Sequence, residues 1–241
     1  MDLLHGVWLG IAKDVSGQIA YDAVMMYMPH TMQENLALLH RQMIDWYKEK
    51  GVHCGVKLFK KTTLSWESSS DYPTMEQKMK GAESKMVFMF LAWVAEGIVE
   101  SGTDQSEYAR LRACMAWALH DCIRVFDENG TWLSRGEADR AYESGCLFLQ
   151  TYQRLAAQAL AEGVAAYKLR PKFHEFAHLL LEAKRTRENP KHRDCFDSED
   201  YIGKMKSVGA ACHRRGVDVR ACQRLIMFLS HRWRPRATRP S

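Results

Sequence analysis

Apolar residues return every three or four positions along most of this chain, in segments that open on a helix cap and close on Gly or Pro. In "TMQENLALLHRQMIDWYKEKG", Leu36, Leu39, Met43 and Trp46 share one helical face. Thr31 stands at its N-cap and Gly51 at its stop. Thr74 with Gln77 has the spacing of a capping box for a helix running towards Glu100. A further helix spans Ser106 to Asn129 and is closed by Gly130. Ser134 with Glu137 makes a second box, for a helix reaching about Gly163. Pro171 fits a first helical turn, and that helix must end before Pro190. Ser198 is placed to cap a helix ending near Gly216, and a last one runs from about Val217 to Trp233.

Strand signals are few. "VHCGVKLFKKTTLSWESSSDYP" reads as a loop with room for one short strand, and "VWLGI" near the start reads as strand-like. The expected fold is therefore all-α, an irregular helical bundle of about six or seven helices with a short strand-like N-terminal segment. One helical domain is expected over residues 1–230, followed by a basic disordered arm over 231–241. The N-terminal segment through Ile11 should pack on the bundle, because Val7, Trp8, Leu9 and Ile11 would otherwise expose a large apolar patch.

A chain of 241 residues that is 46% hydrophobic and 26% charged can bury a sizeable core. The longest apolar run, "MVFMFLAWVAEGIV", contains Glu96 and is too short to span a bilayer, so it reads as a buried helix. No signal peptide is visible. Seven cysteines at irregular spacings, with no C-x-x-C, fit the reduced thiols of an intracellular protein better than a disulfide or zinc framework. Charge is unevenly spread: residues 1–169 carry 17 bases against 21 acids, and residues 170–241 carry 17 against 8. The resulting −4 and +9 place the basic surface in the C-terminal part, which suits nucleic acid or an acidic surface.

Three groups of residues have the chemistry of a site. In "KFHEFAHLL", His174 and His178 share a helix face at a spacing able to hold a metal, and His174-Glu175 with His178 formally match H-E-x-x-H. No third ligand follows, and Arg170 and Lys172 add positive charge. In "CFDSEDYIGKMKSV", Asp197, Glu199 and Asp200 cluster at a helix start, where acids cap the dipole or hold Mg²⁺. Asp2 and His5 form the third. Nucleic-acid contacts are expected from Arg214, Arg215, Arg220, Arg224, Arg232, Arg234, Arg236 and Arg239, with Trp233 available to stack on a base.

Together these segments resemble DDE transposases of the CACTA-like group, and a set of dinoflagellate proteins with the same three blocks. "DLLHGVWLGIAKDV" resembles the family's D-x-x-H-…-L-G-[VI]-x-K segment, and "YPTMEQKMKGAESKMVFMFL" a later Lys-x-x-Glu stretch within a helical insertion. "LRPKFHEFAHLLLEAKRTRENPKHRDCFDSEDYIGKMK" resembles the closing block, with its K-x-H-x-x-x-H segment and an acid before a G-x-[LM]-K helix. The resemblance implies that Asp2 is the second acid of a metal triad, at the end of a strand of an RNase H-like core. It implies that Glu199 is the third, with Asp200 as fallback, and that His174 and His178 are structural or lie near phosphate. The first acid and its strands would precede Met1, so "DLLHGVWLG" reads like the middle of a protein and the chain like the helical C-terminal half of such an ancestor.

The function expected from this reading is a non-catalytic, transposase-derived helical protein that binds nucleic acid or partner proteins through its basic C-terminal part. The alternatives are an interaction subunit of a larger assembly, using its Trp, Met and Phe as a partner surface, and a metal-dependent nuclease fragment needing a missing N-terminal part. H-E-x-x-H adds a zinc hydrolase as a further alternative. No cofactor is expected unless the acidic site is intact, in which case Mg²⁺ is implied. A nuclear location follows only if the resemblance holds.

Overall fold

A computed structural model describes residues 2–52 and 55–193, together with residues 202, 206–208, 210–211, 219–220, 222–224 and 226–227. The chain divides into two units, residues 1–194 and 195–241. In the first, a π-helix Leu4–Ile11 runs directly into α1 (Ala12–Met26). It is followed by α2 (Met32–Glu49), a 3-10 turn Lys61–Leu64, α3 (Gly81–Glu100), α4 (Glu107–Glu128), α5 (Arg135–Ala161), α6 (Pro171–Thr186) and a 3-10 turn Pro190–Arg193. Among the described residues there is no strand, only one isolated bridge between Trp132 and Glu188. The chain is all-α.

The caps explain most of the boundaries. Thr31 accepts from the Glu34 amide, and Glu34 answers by accepting from the Thr31 amide, so α2 opens on a complete capping box. Ser134 and Glu137 do the same for α5, and Ser106 caps α4. Gly51 and Gly163 follow α2 and α5 at φ +65 and +70, where a side chain would be strained.

Two expectations need correction. The opening segment is helical, not strand-like. Leu4, Val7, Trp8 and Ile11 are buried, and their spacing is that of one helical face. The wide π-turns bring these side chains against α1, α3 and α6, so the expected packing on the bundle does hold. Nor do Thr74 and Gln77 open a helix. The Thr74 hydroxyl donates to Asp14 (2.8 Å) instead, and α3 begins at Gly81 with Glu83 folded back on the Lys80 amide.

The core is a row of helices in which α3 sits between α1 and α4, α5 lies along α4, and α6 packs on α5. Arg112, Phe88, Phe90, Phe126, Phe148, Tyr152 and Phe176 are among its largest fully buried side chains. Polar clamps tie the row together. Asp121 on α4 takes two contacts from Arg140 on α5 (2.5 and 3.1 Å), one from Ser144 (2.7 Å) and one from Arg124 (2.7 Å). Burial opposes its charge, but these hydrogen bonds outweigh that and hold the carboxyl well below the usual range. Asp14 on α1 takes Thr74 and an ion pair with Arg170 at the head of α6 (2.9 Å), although burial still raises its pKa. No helix among the described residues is long and apolar enough to cross a membrane.

In the second unit, residues 202, 206–208, 210, 219–220, 222–224 and 226–227 are helical. Arg220 and Arg224 are exposed there, and an Arg224 guanidinium nitrogen donates to the Ala211 carbonyl (3.3 Å).

Candidate functional site

α2 leans on α1 and touches α3 only lightly, which leaves a cleft over α3 with α2 on one side and α4 on the other. Its floor comes from one stripe of α3, with Met86, Met89 and Trp93 three and four residues apart and Glu96 one turn further. Trp46, Lys50 and Val52 form one wall, and Trp117 and His120 of α4 the other. This space has a volume of about 480 Å³. A second space of about 490 Å³ shares Trp46 and Trp93 and continues past Val94, Ile98 and Ser101 towards Tyr27, Asp45 and Glu49. The two meet at Trp46 and Trp93, and their linings together follow α3 from Met86 to Ser101, a span of about 22 Å at helical rise that is called the groove below.

Three features set this groove apart from ordinary surface. Trp93 and Trp117 are 50% and 48% exposed, although α3 is otherwise one of the most apolar segments of the chain. Trp46 is only 7% exposed, and its indole N–H is buried with no hydrogen-bond partner. The polar rim carries the carboxylates of Asp45, Glu49 and Glu96 against the ammonium of Lys50, with Asp45 also paired to Lys48 (3.1 Å). Burial, with Arg124 beside it, lowers the pKa of His120, so this wall adds little positive charge at neutral pH. The apolar run read as a buried helix is therefore only half-buried: Val87, Phe88, Phe90, Leu91 and Ala95 face the core, while Trp93 faces the groove.

A second polar centre lies beneath the far end of the groove. Asp22 of α1 accepts from Gln18 (2.9 Å), Tyr108 (2.8 Å) and Arg112 (3.1 Å). Arg112 also donates to the Tyr27 hydroxyl (2.8 Å), which in turn donates to Asp104 (2.7 Å), and its guanidinium lies over the Tyr27 and Tyr108 rings. The Tyr167 hydroxyl closes the set on Tyr108 (2.9 Å). Burial raises the pKa of the Asp22 carboxyl despite Arg112; burial also works against the Arg112 charge, but Asp22, Tyr27 and Tyr167 together outweigh it and raise that residue's pKa. Nearly every polar atom here is used within the network, so its role is to clamp α1 to α4. No feature of the sequence marked Asp22, Arg112 or the groove; only the count of Trp, Met and Phe hinted at a partner surface.

The residues singled out from the sequence fall as follows. Asp2 caps the first turn, accepting from the His5 amide (3.0 Å) and facing the His5 ring (3.1 Å). Burial resists its ionisation, but these bonds lower its pKa. It stands at a helix start rather than a strand end. His174 and His178 lie side by side on α6, with Nε2 atoms 3.0 Å apart, both exposed. Of the two positive groups that would oppose a metal, Arg170 is paired with Asp14 (2.9 Å), and Lys172 keeps its charge while donating to the His5 carbonyl (2.7 Å). Glu199, Asp200, Arg214, Arg215, Arg232, Trp233, Arg234, Arg236 and Arg239 lie outside the described residues. Among the described residues no group of three or more His, Cys, Asp or Glu is arranged to hold a metal. No family model, curated protein or solved structure matches the chain.

Proposed function

We propose that this chain is an interaction protein whose working surface is the groove along α3, and that its occupant is a basic amphipathic helix of a partner protein. The observation that carries the reading is the convergence of three tryptophans on one cleft, Trp93 and Trp117 half-exposed and Trp46 nearly buried. Large aromatic anchors in a pocket are what dominate binding energy at protein interfaces. Met86 and Met89 add an adaptable floor that can repack around an incoming side chain. The length suits about four turns of helix, and the excess of carboxylates on the rim favours Lys and Arg flanking the apolar face.

The test is a fluorescence titration of the full chain with an 18-residue peptide of Leu and Lys in amphipathic helical order, against the matching Leu/Glu peptide. The Leu/Lys peptide is expected to bind and shift the tryptophan emission to the blue as Trp93 and Trp117 lose water. Trp93→Ala or Trp117→Ala should each weaken binding by about thirtyfold, the usual size for a central aromatic anchor. Equal binding of both peptides, or variants that bind as well as the parent, would remove the groove from the function.

A second reading is supported by the segregation of charge. The net +9 of residues 170–241, with Arg220 and Arg224 exposed on helical residues, supports nucleic-acid binding by the C-terminal part. On this reading, removing residues 231–241 flattens the salt dependence of binding to random DNA and RNA. Each lost phosphate contact reduces the slope by about 0.7–0.9. A truncated chain that binds with the parent's slope would leave the arm without that role.

A further inference from the structure

The His174 and His178 rings meet at 87°, with centroids 4.4 Å apart and Nε2 atoms facing each other at 3.0 Å. Both residues are exposed, and among the described residues the only hydrogen bond either Nε2 makes is to the other. One turn of helix has therefore brought two imidazole Nε2 atoms within 3.0 Å of each other on an open face. Two nitrogens held about 2.0–2.1 Å from one ion stand about 2.9 Å apart when they are cis at a right angle, and about 3.4 Å apart in a tetrahedron. The observed separation fits the right-angled arrangement.

We propose that His174 and His178 form a two-imidazole chelate for a divalent ion of tetragonal or octahedral preference, Ni²⁺ or Cu²⁺, with water filling its remaining positions. Imidazole suits these ions, and their right-angled geometry matches the gap without moving α6. Open coordination on the solvent side is provided by the exposure of both rings. The nearest cations along α6 do not compete. Arg170 is held by Asp14 and Lys172 by the His5 carbonyl, and Lys172, two residues before His174, lies about 200° round the helix from it. Before the ion binds, one ring's Nε2–H donates to the other's Nε2. Binding needs both lone pairs, so that proton moves to Nδ1 of its own ring. Among the described residues no third side chain joins the pair, which separates this site from a zinc-hydrolase centre.

Ni²⁺ is the probe, because Cu²⁺ also reacts with the chain's thiols. The full chain is titrated calorimetrically with NiCl₂ and melted with and without the ion, beside His174→Ala, His178→Ala, His178→Gln and the His174→Ala/His178→Ala double variant. Circular dichroism shows that each remains helical. One Ni²⁺ site is expected in the parent, weakened at least about tenfold in every single variant, since losing either ring removes the chelate. The double variant should be little weaker than the singles, and the rise in Tm with Ni²⁺ should vanish in all of them. A single variant that keeps the parent's affinity, or a parent that binds Ni²⁺ no better than the double variant, overturns the proposal.

Discussion

Asp22→Ala is expected to destabilise the protein by about 3–5 kcal/mol, the usual consequence of leaving one partner of a buried ion pair without the other. Arg112 is wholly buried, and Asp22 at 3.1 Å is its carboxylate partner. The Tyr27 and Tyr108 rings that flank the guanidinium cannot replace that charge, and among the described residues its Nε has no hydrogen-bond partner. Urea unfolding of the parent, Asp22→Ala and the double variant Asp22→Ala/Arg112→Met measures the coupling. The double variant should recover much of the loss, because an apolar pair of similar volume often replaces a buried ion pair at little cost. A single variant within about 1 kcal/mol of the parent, inside the range of an exposed pair, would mean that water reaches Arg112 and the clamp is not closed.

Gly17→Ala should cost about 1–3 kcal/mol, against the usual gain from replacing a helical glycine. A Cβ at this position would stand within 3 Å of the Thr74 backbone nitrogen and Cα and the Pro73 carbonyl carbon. Backbone cannot rotate aside as a side chain can. The segment is further pinned to α1 by the Met75 amide on the Lys13 carbonyl (3.0 Å) and by Thr74 on Asp14 (2.8 Å). Gly136→Ala on α5 is the matched control. Nothing lies within 4 Å of its Cβ position, and it should stabilise by about 0.5–1 kcal/mol. If both substitutions stabilise alike, the loop does not rest on α1 as described.

The helices were legible because their ends are written in local chemistry. Thr31, Ser106, Ser134 and Pro171 start helices as their side chains dictate, and Gly51 and Gly163 close them at positive φ. The opening segment was misread because an apolar run of that length has no clear period. Leu4, Val7, Trp8 and Ile11 carry the helical spacing, but Leu9 interrupts it. Thr74 has a cap's spacing yet lies where Asp14 can take its hydroxyl, a contact across 60 positions that local sequence does not encode.

The groove was hidden for a different reason. α3 is apolar on nearly every side, so its composition does not say which stripe meets the core and which meets solvent. That choice is made by α2, which leans towards α1 and leaves Trp93 uncovered. The buried charges are equally silent in sequence, since Asp22 and Arg112 are 90 residues apart and neither belongs to a motif. His174 and His178 were legible in spacing, but only the structure shows their Nε2 atoms facing each other.

The claim that the α3 groove is the binding surface is tested most directly by hydrogen exchange on the full chain with and without the Leu/Lys peptide. Slowed exchange should concentrate in residues 42–52, 86–103 and 117–120, the segments that line the groove, and should disappear in Trp93→Ala. Protection that falls elsewhere, or that persists at the same strength in Trp93→Ala, would contradict the account.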